Sequence, residues 1–101
     1  MSRADLDELV QEAIVDAHDE DEQLTGFFTM IEENLAVPFP ATLLGVEVSV
    51  DGVELTDRGI AASCVRGPHR QLIDFFEFPA PVPPPRGWGW ISAYRYWASR
   101  G

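Results

Sequence analysis

Residues 46–56, VEVSVDGVELT, decide the fold class. Val46, Val48 and Val50 alternate with Glu47 and Ser49, the period of two that half-buries a β-strand. Asp51-Gly52 follows at once and is a hairpin turn signal. The reading is therefore a strand over residues 41–50, a turn, and a second strand over 53–56. Downstream, a turn at Asp57–Gly59 precedes a third strand over 60–65, and Gly67-Pro68 separates it from a fourth over 70–78. Pro79–Pro85 holds five prolines in seven residues and reads as an extended linker. Beyond it Trp90, Tyr94 and Trp97 recur at helical spacing, predicting a short helix over 89–99 that docks by its aromatic face.

Upstream of residue 39 the period changes to that of a helix. Leu6, Leu9, Val10, Ala13, Ile14 and Ala17 mark one face of a helix over residues 3–18, with Ser2 and Asp5 spaced as a capping box. A second helix over residues 20–35 carries Leu24, Phe27, Phe28, Ile31 and Leu35, and Asp19 and Glu22 repeat the cap spacing at its start. Pro38 and Pro40 end the helical region. Almost no loop is expected between the two helices, and one long kinked helix is the alternative. The sum is an α+β domain: an N-terminal helical hairpin, a small antiparallel sheet or partial barrel of about four strands, and a closing C-terminal helix.

A chain of 101 residues with 46% apolar composition suits one small domain with a core of its own. Its first ten residues, MSRADLDELV, do not resemble a secretory leader, and no apolar run approaches the length that spans a bilayer. Cys64 is the single cysteine, so an intrachain disulfide and a cysteine-based zinc site are both excluded. A reduced, cytoplasmic setting is the expectation.

Charge divides the chain at Asn34. Seventeen acids stand against seven Arg and no Lys, a net charge of −10. Eleven of the acids and one Arg fall in residues 1–34, whereas residues 35–101 hold six of each. A basic face for nucleic acid or an anionic membrane is missing. The acidic third should instead attract metal cations or a basic protein surface.

Nothing in the sequence assembles a catalytic constellation. His18 and His69 have no spacing relation to Cys64, which lies in an apolar alternating strand and reads as a structural thiol. No Gly-rich loop leads into a helix. The acids have geometry of their own: Glu8, Glu12, Asp16 and Glu20 recur every fourth residue, and Glu22, Gly26, Thr29 and Glu33 share one side of the second helix. If the helices fold back on each other, the two acidic sides border a common rim. Carboxylate oxygens in number suit a hard cation such as Ca²⁺, which takes six to eight oxygens. An EF-hand is absent, since a loop begun at Asp19 places Leu24 where Gly is required and Met30 where the bidentate Glu belongs. The competing readings are an acidic adaptor surface for a basic protein and a merely solvated helix face.

One set of residues resembles a known family. Ile14-Val15-Asp16-Ala17, Glu20, Glu22-Gln23, Ile31-Glu32-Glu33-Asn34-Leu35, Pro38-Phe39 and Ala41 are similar in type and spacing to the CcbP-like calcium-binding proteins of cyanobacteria and their bacterial relatives. A weaker likeness continues through Gly59, Cys64-x-Arg66, Leu72–Phe78 and Tyr94-Arg95-Tyr96-Trp97. The resemblance implies a small protein without EF-hands, coordinating Ca²⁺ through surface carboxylates. It also implies helices packed on a compact β-domain. Glu33 and then Glu32 match the family's acidic pair at the end of the second helix, and Asp16, Glu20 and Glu22 match its acids around the helix junction. Asn34 and the carbonyls of the helix end are the expected source of further oxygens. The chain departs from the pattern in having Glu at position 33 where Asp is expected, and a Pro-rich segment with Arg86 where the family is acidic. The functional expectation is a non-catalytic Ca²⁺ buffer or sensor. The alternative is the acidic adaptor with no specific metal site.

Overall fold

The computed structural model describes residues 1–99. Helix α1 spans Arg3–Ile14 and helix α2 spans Glu20–Asn34. Four strands follow, β1 (Phe39–Leu43), β2 (Val46–Thr56), β3 (Gly59–Arg66) and β4 (His69–Asp74), and helix α3 (Trp88–Ala98) closes the described chain. The strands form one antiparallel sheet in the order β1-β2-β3-β4, so each pairs with its sequence neighbour. The α+β architecture is the expected one, in the form of an open meander.

Local chemistry sets the helix limits. Ser2 Oγ accepts the Asp5 N–H at 3.2 Å while Asp5 accepts the Ser2 N–H at 3.1 Å, the reciprocal capping box read from the sequence. The Ser2 N–H, and after it a hydrogen bond from the Ser2 side chain, hold the Asp5 carboxyl below its ordinary pKa. The first helix ends at Ile14, four residues before the expected 18. Asp16 takes a left-handed conformation (φ 66°), and Asp19, as N-cap of α2, is extended. Residues 15–19 are thus a true connection, because the cap of α2 requires a non-helical backbone where a continuous helix was one alternative.

The hairpin lies elsewhere than Asp51-Gly52. The chain reverses at Leu44-Gly45, both at positive φ (50° and 78°), which is the conformation of the tight hairpin turns that match strand twist. β2 then runs straight through Asp51-Gly52. There the register shifts: Val50 faces Cys64 and Gly52 faces Ser63, so Asp51 is an inserted bulge residue. The bulge has a packing reason. The apolar set Val46, Val48, Val50 lies on even positions and Val53, Leu55 on odd ones, and one extra residue keeps both Val50 and Val53 on the core side, opposite Cys64 and Ala62.

The fourth strand is shorter than 70–78. It stops at Asp74, whose Oδ1 accepts the Phe76 N–H at 2.8 Å and whose carbonyl accepts that of Glu77 at 3.0 Å. A continued strand would bury Phe75 and Glu77 together; this turn buries Phe75 and Phe78 and leaves Glu77 exposed. In α3 the buried stripe is Trp88, Ile91, Tyr94 and Trp97, with Trp90 only half-buried, so the docking face is rotated from the expected one.

The core lies between the helices and one face of the sheet. Phe27, Ile31 and Leu35 of α2 meet Val50, Ile60, Ala62 and Cys64 of the strands. Phe27 packs on Trp97 with ring centroids 5.1 Å apart, and Phe39, Phe75, Phe78 and Trp88 form an edge-to-face cluster at about 6 Å. Two buried polar groups are paired across this core. Tyr94 Oη accepts the Ile60 N–H at 3.1 Å, and Trp97 Nε1 donates to Gln23 at 3.0 Å. The α1 and α2 backbones approach so closely that a Cβ on Gly26 would collide with the Ala13 carbonyl.

Candidate metal centre

The five candidate carboxylates fall at opposite ends of α2. Asp16, Glu20 and Glu22 belong to the junction before it, and Glu32 and Glu33 to its last turn. Twelve residues of helix separate Glu20 from Glu32, an axial distance of about 18 Å. Ca²⁺–oxygen bonds are about 2.3–2.6 Å. One ion therefore cannot take ligands from both ends of α2. The i, i+4 series also breaks, because Asp16 lies beyond the end of α1.

At the junction the acids already have structural work. Asp19 Oδ1 accepts the Glu22 N–H at 2.8 Å, and Glu22 Oε2 reaches back to accept the His18 N–H at 2.9 Å. Glu20, Asp21 and Glu22 stand in the first turn, where the positive end of the helix dipole favours them. The three candidates here are exposed. Capping engages Glu22 and the dipole favours Glu20, whereas Asp16 lies before the cap.

The other end of α2 is different. Glu32 and Glu33 occupy the last turn, which contains no basic residue, so two carboxylates sit at the negative end of the dipole. Ile31 is fully buried, placing Glu32 a quarter-turn from the core face and Glu33 on the opposite side of the helix. Glu32 accordingly lines a cleft of about 250 Å³ with Ile31, Leu35, Val37, Asp51, Gly52 and Val53, while Glu33 is not among its lining residues. The bulge in β2 is what brings the Asp51 backbone to this cleft.

Asp51 was read as a turn residue, and its place at this cleft was missed. The change in parity between Val50 and Val53 was the available signal. Its carboxylate forms an ion pair with Arg70 Nη1 at 2.9 Å, and Arg70 Nη1 also donates to Ser63 Oγ at 2.7 Å. A hydrogen bond from the Ser63 side chain to the Asp51 carboxylate, and after it the Arg70 charge, lower the Asp51 pKa from its ordinary value.

Two of the carbonyls near the helix end, those of Met30 and Ile31, are engaged. Asn34 Nδ2 donates to the Met30 carbonyl and the Leu35 N–H to that of Ile31, each at 2.8 Å. The Asn34 carbonyl is packed against Gly87, which has φ 89° and no room for a Cβ, and the Ala36 N–H donates to Arg86 O at 2.8 Å. The segment before α3 therefore clamps the end of α2. Among the described residues no three His, Cys, Asp or Glu side chains are gathered into a group able to hold a metal ion as they stand. The donor chemistry, all oxygen and anionic, fits a hard cation.

Cys64 is buried, and burial first, then the Asp51 charge, pushes its thiol pKa up. That environment suits a packing residue. No helix among the described residues is long and apolar enough to cross a membrane.

A family model for the CcbP-type proteins, described as calcium binding, matches residues 7–59, more than half of the 101-residue chain. The match contains all five candidate carboxylates and Asp51, and it ends before Cys64 and the C-terminal aromatic residues. No curated protein and no solved structure matches the chain. The chain belongs to the CcbP calcium-binding family.

Proposed function

We propose that this member of the CcbP family is a non-catalytic Ca²⁺-binding protein of the cytoplasm whose ion is held at the C-terminal end of α2, by Glu32 and Glu33. The observation that carries the reading is the calcium-binding family match, which spans the whole of α2. Electrostatics selects the end. Glu20 and Glu22 are stabilised by capping or by the positive helix terminus, whereas Glu32 and Glu33 stand at a negative terminus with no basic residue in the turn. A divalent cation there relieves this penalty. Asp16, Glu20 and Glu22 remain the second group, too distant to share the same ion.

The donor set supplies fewer protein oxygens than the six to eight Ca²⁺ prefers, so water completes the shell. This arrangement supports a buffer in preference to a sensor. The end of α2 is clamped by Arg86 and Gly87, and the helices interlock through Gly26 and Ala13, so the elements around the proposed site are packed together.

Calorimetric titration of chelator-treated protein in about 0.15 M salt, where diffuse attraction is screened, tests the reading. Saturable Ca²⁺ binding with a weak Mg²⁺ response supports it. Indistinguishable weak heats for both ions contradict it and favour the acidic adaptor surface instead.

A further inference from the structure

The two edges of the sheet are built differently. β1 carries Pro40, which has no N–H to offer, and residues 79–82 lie beside it, lining one cleft with Pro40, Ala41 and Thr42. Both are standard ways of blunting an edge. β4, His-Arg-Gln-Leu-Ile-Asp, contains no proline and among the described residues pairs only with β3.

The hydrogen-bond phase shows what β4 presents. The Phe75 N–H donates to the Ile60 carbonyl at 3.2 Å, continuing the β3–β4 register in which Ala62 faces Ile73. Antiparallel pairing alternates the direction of successive residues. The odd residues of β4 thus point their backbone groups at β3, and Arg70 and Leu72 point theirs at the open edge, as does the Asp74 N–H, while the Asp74 carbonyl is taken by the Glu77 N–H. The side chains of these same three residues share the sheet face opposite the helices, since they face Val65, Ser63 and Ala61 rather than the core residues Ala62 and Cys64.

We propose that β4 is a homodimer edge, pairing antiparallel with β4 of a second copy about a two-fold axis at Leu72. A two-fold axis perpendicular to the sheet keeps each face on its own side, so residues of like parity meet. Leu72 then opposes Leu72 of the second copy, and Arg70 opposes Asp74 twice, giving an apolar centre flanked by two opposite-charge pairs. Leu72 is 46% exposed. Asp74 uses Oδ1 for its own turn, leaving Oδ2 for the cross-copy pair. Arg70 contacts Asp51 and Ser63 through Nη1, and its side chain is 61% exposed. An ion pair so exposed is weakly held and screened by solvent, so Arg70 can redirect to the second copy.

Charge distribution permits the approach. The chain is acidic overall, but residues 35–101 carry equal numbers of acids and Arg. The acidic α2 packs over β2, two strands from the proposed interface. An edge pairing of this size falls among the small, concentration-dependent interfaces.

Sedimentation velocity over a concentration series in about 0.15 M salt tests the proposal. The expected result is a concentration-dependent rise from the 11.2 kDa monomer towards twice that mass, abolished in Leu72→Lys and in Leu72→Glu and restored when those two variants are mixed. A monomer at every concentration overturns the proposal and leaves the edge to a foreign strand. A dimer that survives both substitutions with native circular dichroism also overturns it. Should the variants not fold, hydrogen exchange of the wild-type protein decides. Amides of Arg70, Leu72 and Asp74 must gain protection as concentration rises while those of β1 do not, and equal behaviour at both edges sinks the proposal.

Discussion

Glu32 and Asp51 line the same cleft, where the last turn of α2 meets the bulge of β2. Two acids distant in sequence are thus neighbours of one apolar-walled opening, and among the described residues only Asp51 of the two has a basic partner, Arg70. The arrangement separates the acids that the fold explains from those it does not.

Glu32→Gln and Glu33→Gln should each weaken Ca²⁺ binding by about tenfold or more, equivalent to about 1.4 kcal/mol. Glu20→Gln should change it less than twofold. Calorimetry on the three variants checks this ordering, and equal effects from all three contradict the assignment to the helix end.

Asp7 accepts a hydrogen bond from Tyr96 Oη at 2.9 Å and so ties α1 to α3. Asp7→Ala should leave Ca²⁺ binding unchanged while lowering stability by about 0.5–1.5 kcal/mol in urea unfolding. A change in affinity without one in stability would show Asp7 acting at the ion.

Tyr94→Phe leaves the Ile60 N–H buried and unpaired. The cost should be about 1–3 kcal/mol, larger than that of Asp7→Ala because water cannot replace the lost partner. Denaturant midpoints for the two variants give the comparison.

Acid sensitivity follows from Asp51. Its pKa is lowered in the folded protein from an ordinary 3.8. The stability it contributes is present above the unfolded value and is lost as pH falls through the lower folded value. Asp51→Asn should therefore lower the melting temperature at neutral pH and converge with the wild type at the acid end of the range. Parallel curves would show that the Ser63 and Arg70 contacts contribute nothing to folding.

The helices were legible because their apolar residues keep one period and their caps are local: Ser2 with Asp5, and Asp19 with Glu22. Strand content was legible as well, from the valine alternation. The position of the hairpin was not, because Asp-Gly satisfies a bulge as readily as a tight turn, and the actual turn places a leucine, Leu44, at positive φ. That one misplacement hid Asp51 from the candidate site. The acids were legible as a set, but their division into two groups depends on the length of α2 and on where α1 stops, which sequence spacing alone does not fix.

The most direct test of the central claim is a Ca²⁺ titration followed by amide chemical shifts in the full chain. Saturable shifts concentrated at Glu32, Glu33 and Asn34, reaching Asp51 and Gly52 across the cleft and small with Mg²⁺, are the predicted result. Shifts concentrated at residues 16–22, or spread evenly over the acidic helices for both ions, would contradict it.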